Sequence, residues 1–136
     1  MTTRPEPEID ERNREYWAAL EEGVLKYQRC LGCGNAWLPI RSECPRCLEA
    51  NWTMVPSSGR GRLISWVVYH TSYHPYFEDK LPYAVAVVQL EEGPRLIASL
   101  VDEPSELRID QRMVLSVQRD DGRARAAFAV DRDYAR

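Results

Sequence analysis

The chain has 136 residues and a formal net charge of −3, with 44 % apolar and 29 % charged residues. That bounds it to one modest domain, or a small module joined to a second of about 75 residues. No apolar run approaches the length of a bilayer-spanning helix, nothing resembles a lipidation signal, and the polar start with Pro5 and Pro7 excludes a signal peptide, so a cytoplasmic protein with reduced cysteines is expected.

Charge is unevenly placed, at −4 over residues 1–23, +4 over 24–62 and −3 over 63–136. A divalent ion held by four thiolates contributes −2 and would lower the central segment to about +2. Such a patch suits a phosphate-bearing small molecule or an acidic protein face better than a nucleic acid, which calls for a clearly basic face.

In chain order, residues 1–9 read as a loose arm. Asp10 to Glu22 reads as a helix, with Asp10 as N-cap, Ala18, Ala19 and Leu20 as strong formers, and Gly23 as the stop. Tyr16, Trp17 and Leu20 share one face of it. That face either packs on the rest of the chain or docks on a partner, and a thirteen-residue helix is marginal alone.

The four cysteines come next, as two pairs: Cys30-Leu31-Gly32-Cys33 and Cys44-Pro45-Arg46-Cys47. Ten residues separate the pairs, which is the spacing of a four-thiolate zinc ribbon. Each pair sets two sulfurs on one tight turn; Gly34 supplies a left-handed residue and Pro45 stiffens the second turn. Zinc bound by Cys30, Cys33, Cys44 and Cys47 is the expectation, although a rubredoxin-like iron site uses similar turns. Four protein ligands close a tetrahedral sphere, so the metal should hold structure and do no chemistry. Val24, Leu25, Tyr27, Trp37, Leu38 and Ile40 supply two or three short strands, with Trp52 and Val55 at the exit.

Ser57-Ser58-Gly59-Arg60-Gly61 is a linker, and beyond it the hydrophobic period changes to two. Strands are predicted at 62–70, 83–90, 95–101, 113–119 and 123–130, with turns at 91–94 and Asp120-Asp121-Gly122 and a short helical stretch near 104–107. Five strands in some 70 residues predict a small closed barrel of the OB-fold type. The last strand is poorly patterned at Ala124, Ala126 and Ala127. The predicted organisation is mainly β: an N-terminal arm and docking helix (1–23), a zinc ribbon (24–56), and an OB-fold barrel with a C-terminal tail (57–136).

The connection between the first two barrel strands, Thr71 to Pro82, is long and carries Tyr73, His74, Tyr76 and Phe77. Aromatic side chains there either cap one barrel mouth or form a binding surface. Catalytic patterns are missing. Every cysteine is spoken for, and GxSxG, P-loop and GxGxxG motifs are absent. Glu91-Glu92 and Asp120-Asp121 read as solvated turn residues, and His74, beside Pro75, as structural to its loop.

Taken together, several motifs resemble the DUF35 family. They are Gln28-Arg29-Cys30-Leu31-Gly32-Cys33, Leu38-Pro39, Cys44-Pro45-Arg46-Cys47, Ser58-Gly59-Arg60-Gly61, Tyr69-His70, and the run from Leu81-Pro82-Tyr83 to Gly93-Pro94-Arg95. The resemblance spans about residues 10–130. It departs mildly after the first cysteine pair, where the family commonly has two prolines and a basic residue and this chain has Trp37-Leu38-Pro39-Ile40-Arg41. It implies a rubredoxin-like ribbon joined to an OB-fold, in a non-catalytic accessory subunit of a thiolase, thiolase-like aldolase or hydratase. Such subunits stabilise the partner and help hold or channel a CoA-linked acyl chain. Tyr16, Trp17, Leu20, Tyr73, His74, Tyr76 and Phe77 are then the candidate partner or acyl-CoA contacts. A single-stranded nucleic-acid module is the alternative, opposed by the acidic balance of the barrel segment.

Overall fold

The computed structural model describes residues 4–132. One α-helix, α1 (Arg14–Glu21), precedes ten strands: β1 (Lys26–Cys30), β2 (Ala36–Trp37), β3 (Trp52–Pro56), β4 (Arg60–Tyr69), β5 (Tyr83–Leu90), β6 (Arg95–Leu100), β7 (Arg112–Leu115), β8 (Gln118–Asp120), β9 (Arg123–Arg125) and β10 (Ala127–Val130). No helix among the described residues is long and apolar enough to cross a membrane.

The helix begins four residues later than its sequence suggests. Asp10 Oδ1 accepts from the N–H groups of Arg12 and Asn13 at 2.9 and 3.1 Å, and Asn13 Oδ1 accepts from the Asp10 N–H at 2.8 Å. Asp10 is thus spent on a reciprocal turn ahead of the helix and does not cap it. The far end follows expectation: Gly23, at φ +82°, donates to the Leu20 carbonyl.

Strands β2-β1-β3 form the ribbon sheet, and β10-β6-β5-β4-β7 close a barrel in which only the β10–β6 pair is parallel. That order and direction define the OB-fold. Inside lie Leu63, Ala86, Val88, Leu90, Leu96, Ala98, Met113 and Phe128, and Leu20 and Leu25 join this core from outside the barrel. The expected linker contributes its last two residues to β4. Gly61 is required there, because a Cβ would run into the Gln89 carbonyl of the paired strand.

The last two predicted strands each break in two. Residues 113–119 divide into β7 and β8, and 123–130 into β9 and β10, with β8 and β9 forming a separate ribbon. Ala124 turns toward α1, where its N–H donates to Glu21 Oε2 at 2.8 Å, whereas Phe128 turns into the barrel. The small residues that blurred the pattern let the chain change sheets at Ala126.

The paired turn acids are not simply solvated. Glu92 accepts from the Ser57 hydroxyl and the Ser58 N–H at 2.9 and 2.7 Å and so fastens the linker. Asp121 accepts the Arg4 N–H at 2.7 Å, and Asp120 pairs with Arg125 and Arg4. The N-terminal arm, expected to be loose, is therefore tied to the β8–β9 turn.

Candidate metal centre and aromatic loop

Both cysteine turns are built alike. Cys30 ends β1, and its carbonyl accepts from Gly34 N–H at 3.0 Å; the Cys44 carbonyl accepts from Leu48 N–H at 2.8 Å. Gly34 and Leu48 both sit at positive φ, at +79° and +68°, so glycine supplies the turn once and a strained leucine supplies it the second time. Within each turn, backbone N–H groups point at the leading sulfur. Gly32 and Cys33 donate to Cys30 Sγ at 3.3 and 3.4 Å, and Arg46 and Cys47 to Cys44 Sγ at 3.4 and 3.5 Å. Asn35 Nδ2 adds a donor to Cys44 Sγ at 3.6 Å.

The four sulfurs all lie within 4.8 Å of one another, with Cys30–Cys47 at 3.5 Å and Cys33–Cys44 at 3.7 Å. Disulfides are excluded, since that bond is about 2.05 Å. A tetrahedral ion with sulfurs at about 2.3 Å sets them about 3.8 Å apart, so the cluster fits such an ion.

The thiols also divide electrostatically. The Cys33 N–H, with Gly32, holds the Cys30 thiol below its ordinary value. Burial pushes Cys44 up, but the N–H groups of Cys47 and Arg46 and the Asn35 amide outweigh it and bring it to about 6. For Cys47 the Glu49 N–H pulls down, while burial and three neighbouring sulfurs push the thiol up to about 12. Four crowded thiols cannot all ionise without a cation to neutralise them.

A buried glutamine, which carries no motif, holds the excursion between the turns. Gln28 Nε2 donates to the Arg41 carbonyl at 2.8 Å and Gln28 Oε1 accepts from the Arg41 N–H at 2.7 Å. That pair secures the segment after the cis peptide Leu38–Pro39.

The second candidate region is the β4–β5 connection. Tyr69 stacks on Tyr83, and Tyr83 stacks on Phe77, with centroids 5.1 and 5.2 Å apart. Tyr76 meets Phe77 edge-on at 5.0 Å. The arm residue Arg4 lies over Phe77 and Tyr76 at 5.4 and 5.8 Å, and Lys80 Nζ is 4.0 Å from the Tyr76 ring. Together they line a cavity of about 310 Å³. His74 Nδ1 accepts from the Tyr76 N–H at 3.0 Å and so caps a 3-10 turn at Pro75–Phe77. His74 is therefore committed to the loop's own structure.

The predicted contact residues separate by exposure. Tyr73 is 82 % exposed, whereas His74, Tyr76 and Phe77 are half-buried. Tyr16 and Trp17 are half-buried and line a groove of about 430 Å³, but Leu20 is fully buried and offers a partner nothing. Burial pushes the Tyr16 phenol up to about 12, so it stays a neutral donor. Tyr73→Ala is expected to leave the melting temperature within about 1 °C while weakening binding to a catalytic partner by about 1–2 kcal/mol, and Phe77→Ala to lower it clearly through the lost stack. Calorimetric melting and titration of the same variants check this; unchanged affinity for Tyr73→Ala would make the loop a lid.

A four-cysteine ribbon in series with an OB-fold barrel defines a class of two-part β proteins. Residues 17–53 match the family model described as the ChsH2 rubredoxin-like zinc ribbon domain, and residues 54–118 that described as the ChsH2 C-terminal OB-fold domain. A DUF35 domain-containing scaffold protein of Methanothermobacter thermautotrophicus is 38 % identical over 72 % of this chain and 76 % of its own length. The chain belongs to the DUF35 family.

Two further relatives are described as enzyme subunits. A probable enoyl-CoA hydratase alpha subunit of Thermomonospora curvata is 37 % identical over 82 % of this chain, which spans only 35 % of that protein. Benzoylsuccinyl-CoA thiolase subunit BbsA of Thauera aromatica is 33 % identical over 68 % of this chain and 62 % of its own. Among solved structures, a chain of an Ltp2-ChsH2(DUF35) aldolase superposes with a TM-score of 0.80 at 33 % identity, covering 92 % of this chain and 98 % of that one.

Proposed function

We propose that this chain is the accessory subunit of a thiolase-like acyl-CoA enzyme, a thiolase or an aldolase, and that it does no catalysis itself. It stabilises the catalytic subunit and helps hold the CoA-linked acyl substrate. The observation that carries this reading is the match along almost the whole length of a chain from an aldolase complex, at a TM-score of 0.80 and 33 % identity. The thiolase-subunit relative supports it independently.

In this reading Cys30, Cys33, Cys44 and Cys47 hold one structural zinc ion, which supplies rigidity and no open coordination position. Residues 1–23 serve as arm and helix, 24–56 as ribbon and 57–136 as barrel and tail, in the cytoplasm. Tyr16, Trp17, Tyr73, Tyr76 and Phe77, with His74 fixing the loop, face the partner or its acyl-CoA, where the Arg4 and Lys80 cations suit an anionic ligand. The nucleic-acid alternative loses support because the middle of the outer face of β4–β6 is Val67, Val85, Val87 and Ile97, so its rings at Tyr69 and Tyr83 stand apart from Arg62 and Arg95 at the other end and do not alternate with them.

The pure chain is expected to show no thiolase, aldolase or hydratase turnover, and to raise the melting temperature or activity of a purified thiolase-superfamily subunit when the two are mixed. Turnover by the chain alone, abolished by His74→Ala, would sink the non-catalytic reading. Failure to associate with any such subunit would sink the rest.

A further inference from the structure

Strand β5 is apolar on both faces from Tyr83 to Val88. Its inward residues are Ala84, Ala86, Val88 and Leu90, all buried; its outward residues begin Tyr83, Val85, Val87. A strand with one face in water normally alternates apolar with polar, whereas apolar side chains on both faces mark a strand covered on both. Here the outward set is bulkier than the inward alanines. Across the strands Val85 lies between Val67 and Ser99, and Val87 between Ser65 and Ile97, so the apolar set runs diagonally over the face with two small hydroxyl residues beside it. Val67 and Ile97 are 55 % and 75 % exposed, so the described residues leave the middle of that face open, while Phe77 covers its Tyr83 end.

From strand spacing and rise, three strands over about six residues present roughly 15 by 20 Å, or about 300 Å². With its serines counted, that area stands at the lower end of the range for the largest apolar patch of a typical monomer. The tract does not end there. Val87 and Ile97 also line the 430 Å³ groove whose other wall is Tyr16, Trp17 and Pro39. Sheet face, helix and ribbon therefore present one continuous surface. The barrel is closed and offers no free strand edge here, so side chains must make the contact.

We infer that this outer β4–β5–β6 face, with the adjoining groove, is where the catalytic subunit of the complex docks, through an apolar patch rimmed by carboxylates. The inference rests on the accessory-subunit reading and adds the place of contact. The rim chemistry follows from charge. Among the described residues the Arg95 side chain, at the groove wall, bonds only the Gln89 side-chain oxygen at 3.3 Å, and the Arg41 side chain, next to the groove residue Ile40, joins no ion pair. A second copy of this chain would bring more uncompensated arginines to that rim, whereas a partner with acidic residues around an apolar centre would pair them.

The test uses the full chain and the purified thiolase-superfamily subunit with which it associates, titrated by calorimetry. Val67→Glu and Ile97→Glu, both at exposed positions, should each weaken binding at least about 30-fold with melting temperature and metal content unchanged. Ile109→Glu, exposed on the loop before β7, should change it less than about 3-fold. Wild-type binding with both face variants equally tight would overturn the docking face and leave the accessory function standing. No binding by the wild type to any such subunit would overturn that function and this occupant with it. Concentration-dependent dimerisation of the chain alone in sedimentation, abolished by Ile97→Glu, would overturn the choice of partner in favour of a second copy.

Discussion

Replacing Cys44 by serine is expected to strip the metal from the ribbon and destabilise it by several kcal/mol while leaving the barrel folded. The reason is the poverty of the ribbon's own core. Its buried cluster consists of Cys30, Trp37 and Cys44, with Trp52 packed against it, so two of three buried residues are themselves candidate ligands. Without an ion, little apolar area remains to offset the chain entropy of the excursion between the two turns. Cys44 also accepts three N–H groups through its sulfur, and a hydroxyl oxygen with shorter bonds cannot reach them all from the same place. Elemental analysis should find one zinc per wild-type chain and almost none in the variant, with protease cuts appearing between residues 30 and 50. Each thiolate must lose its proton to bind, so metal should also leave as pH falls, since protons then compete for the sulfurs. A metal-free wild type of full stability, or two disulfides by thiol titration, would defeat this account.

Leu20→Ala should cost about 3 kcal/mol of folding stability. Leu20 is 0 % exposed and packs with Leu25, Leu63 and Phe128 in the main core. Truncating it leaves a cavity between helix and barrel, and it also loosens the tie beside it. Glu21 accepts from Ala124 N–H and Arg119 at 2.8 and 2.7 Å, and these bonds, the backbone N–H first, hold its carboxyl below the ordinary value of 4.5. A depressed carboxyl contributes stability at neutral pH that is lost as pH falls through its folded value. The helix should therefore loosen on acidification as well as on truncation. Urea denaturation measures the first effect. A loss under 1 kcal/mol, accompanied by weaker partner binding, would restore Leu20 to the docking surface.

Much of the architecture is legible in the chain because it depends on near neighbours. The two CxxC pairs announce a metal cluster since each turn is closed within five residues, and the structure brings all four sulfurs within 4.8 Å. Apolar-rich runs bounded by turn residues locate β4, β5 and β6, and Gly23 ends the helix as its lack of a Cβ allows. Residues 83–88 even carried the clue to the uncovered face, as an apolar run too complete for a strand wetted on one side.

What only the tertiary structure decided involves partners far apart in sequence. Arg4 reaches Asp121 across 117 residues and thereby places a cation over Tyr76 and Phe77, which no local pattern signals. Gln28 is an unremarkable polar residue until the excursion returns and offers it the backbone of Arg41. Tyr16, Trp17 and Leu20 share one helical stripe, yet the barrel buries Leu20 and leaves the other two at a groove, because a stripe's period says which residues face the same way and not how deep each will sit. The split of the last two strands has the same cause: Ala124 answers to Glu21 and Phe128 to the barrel core, and alanines are small enough to let the chain serve both.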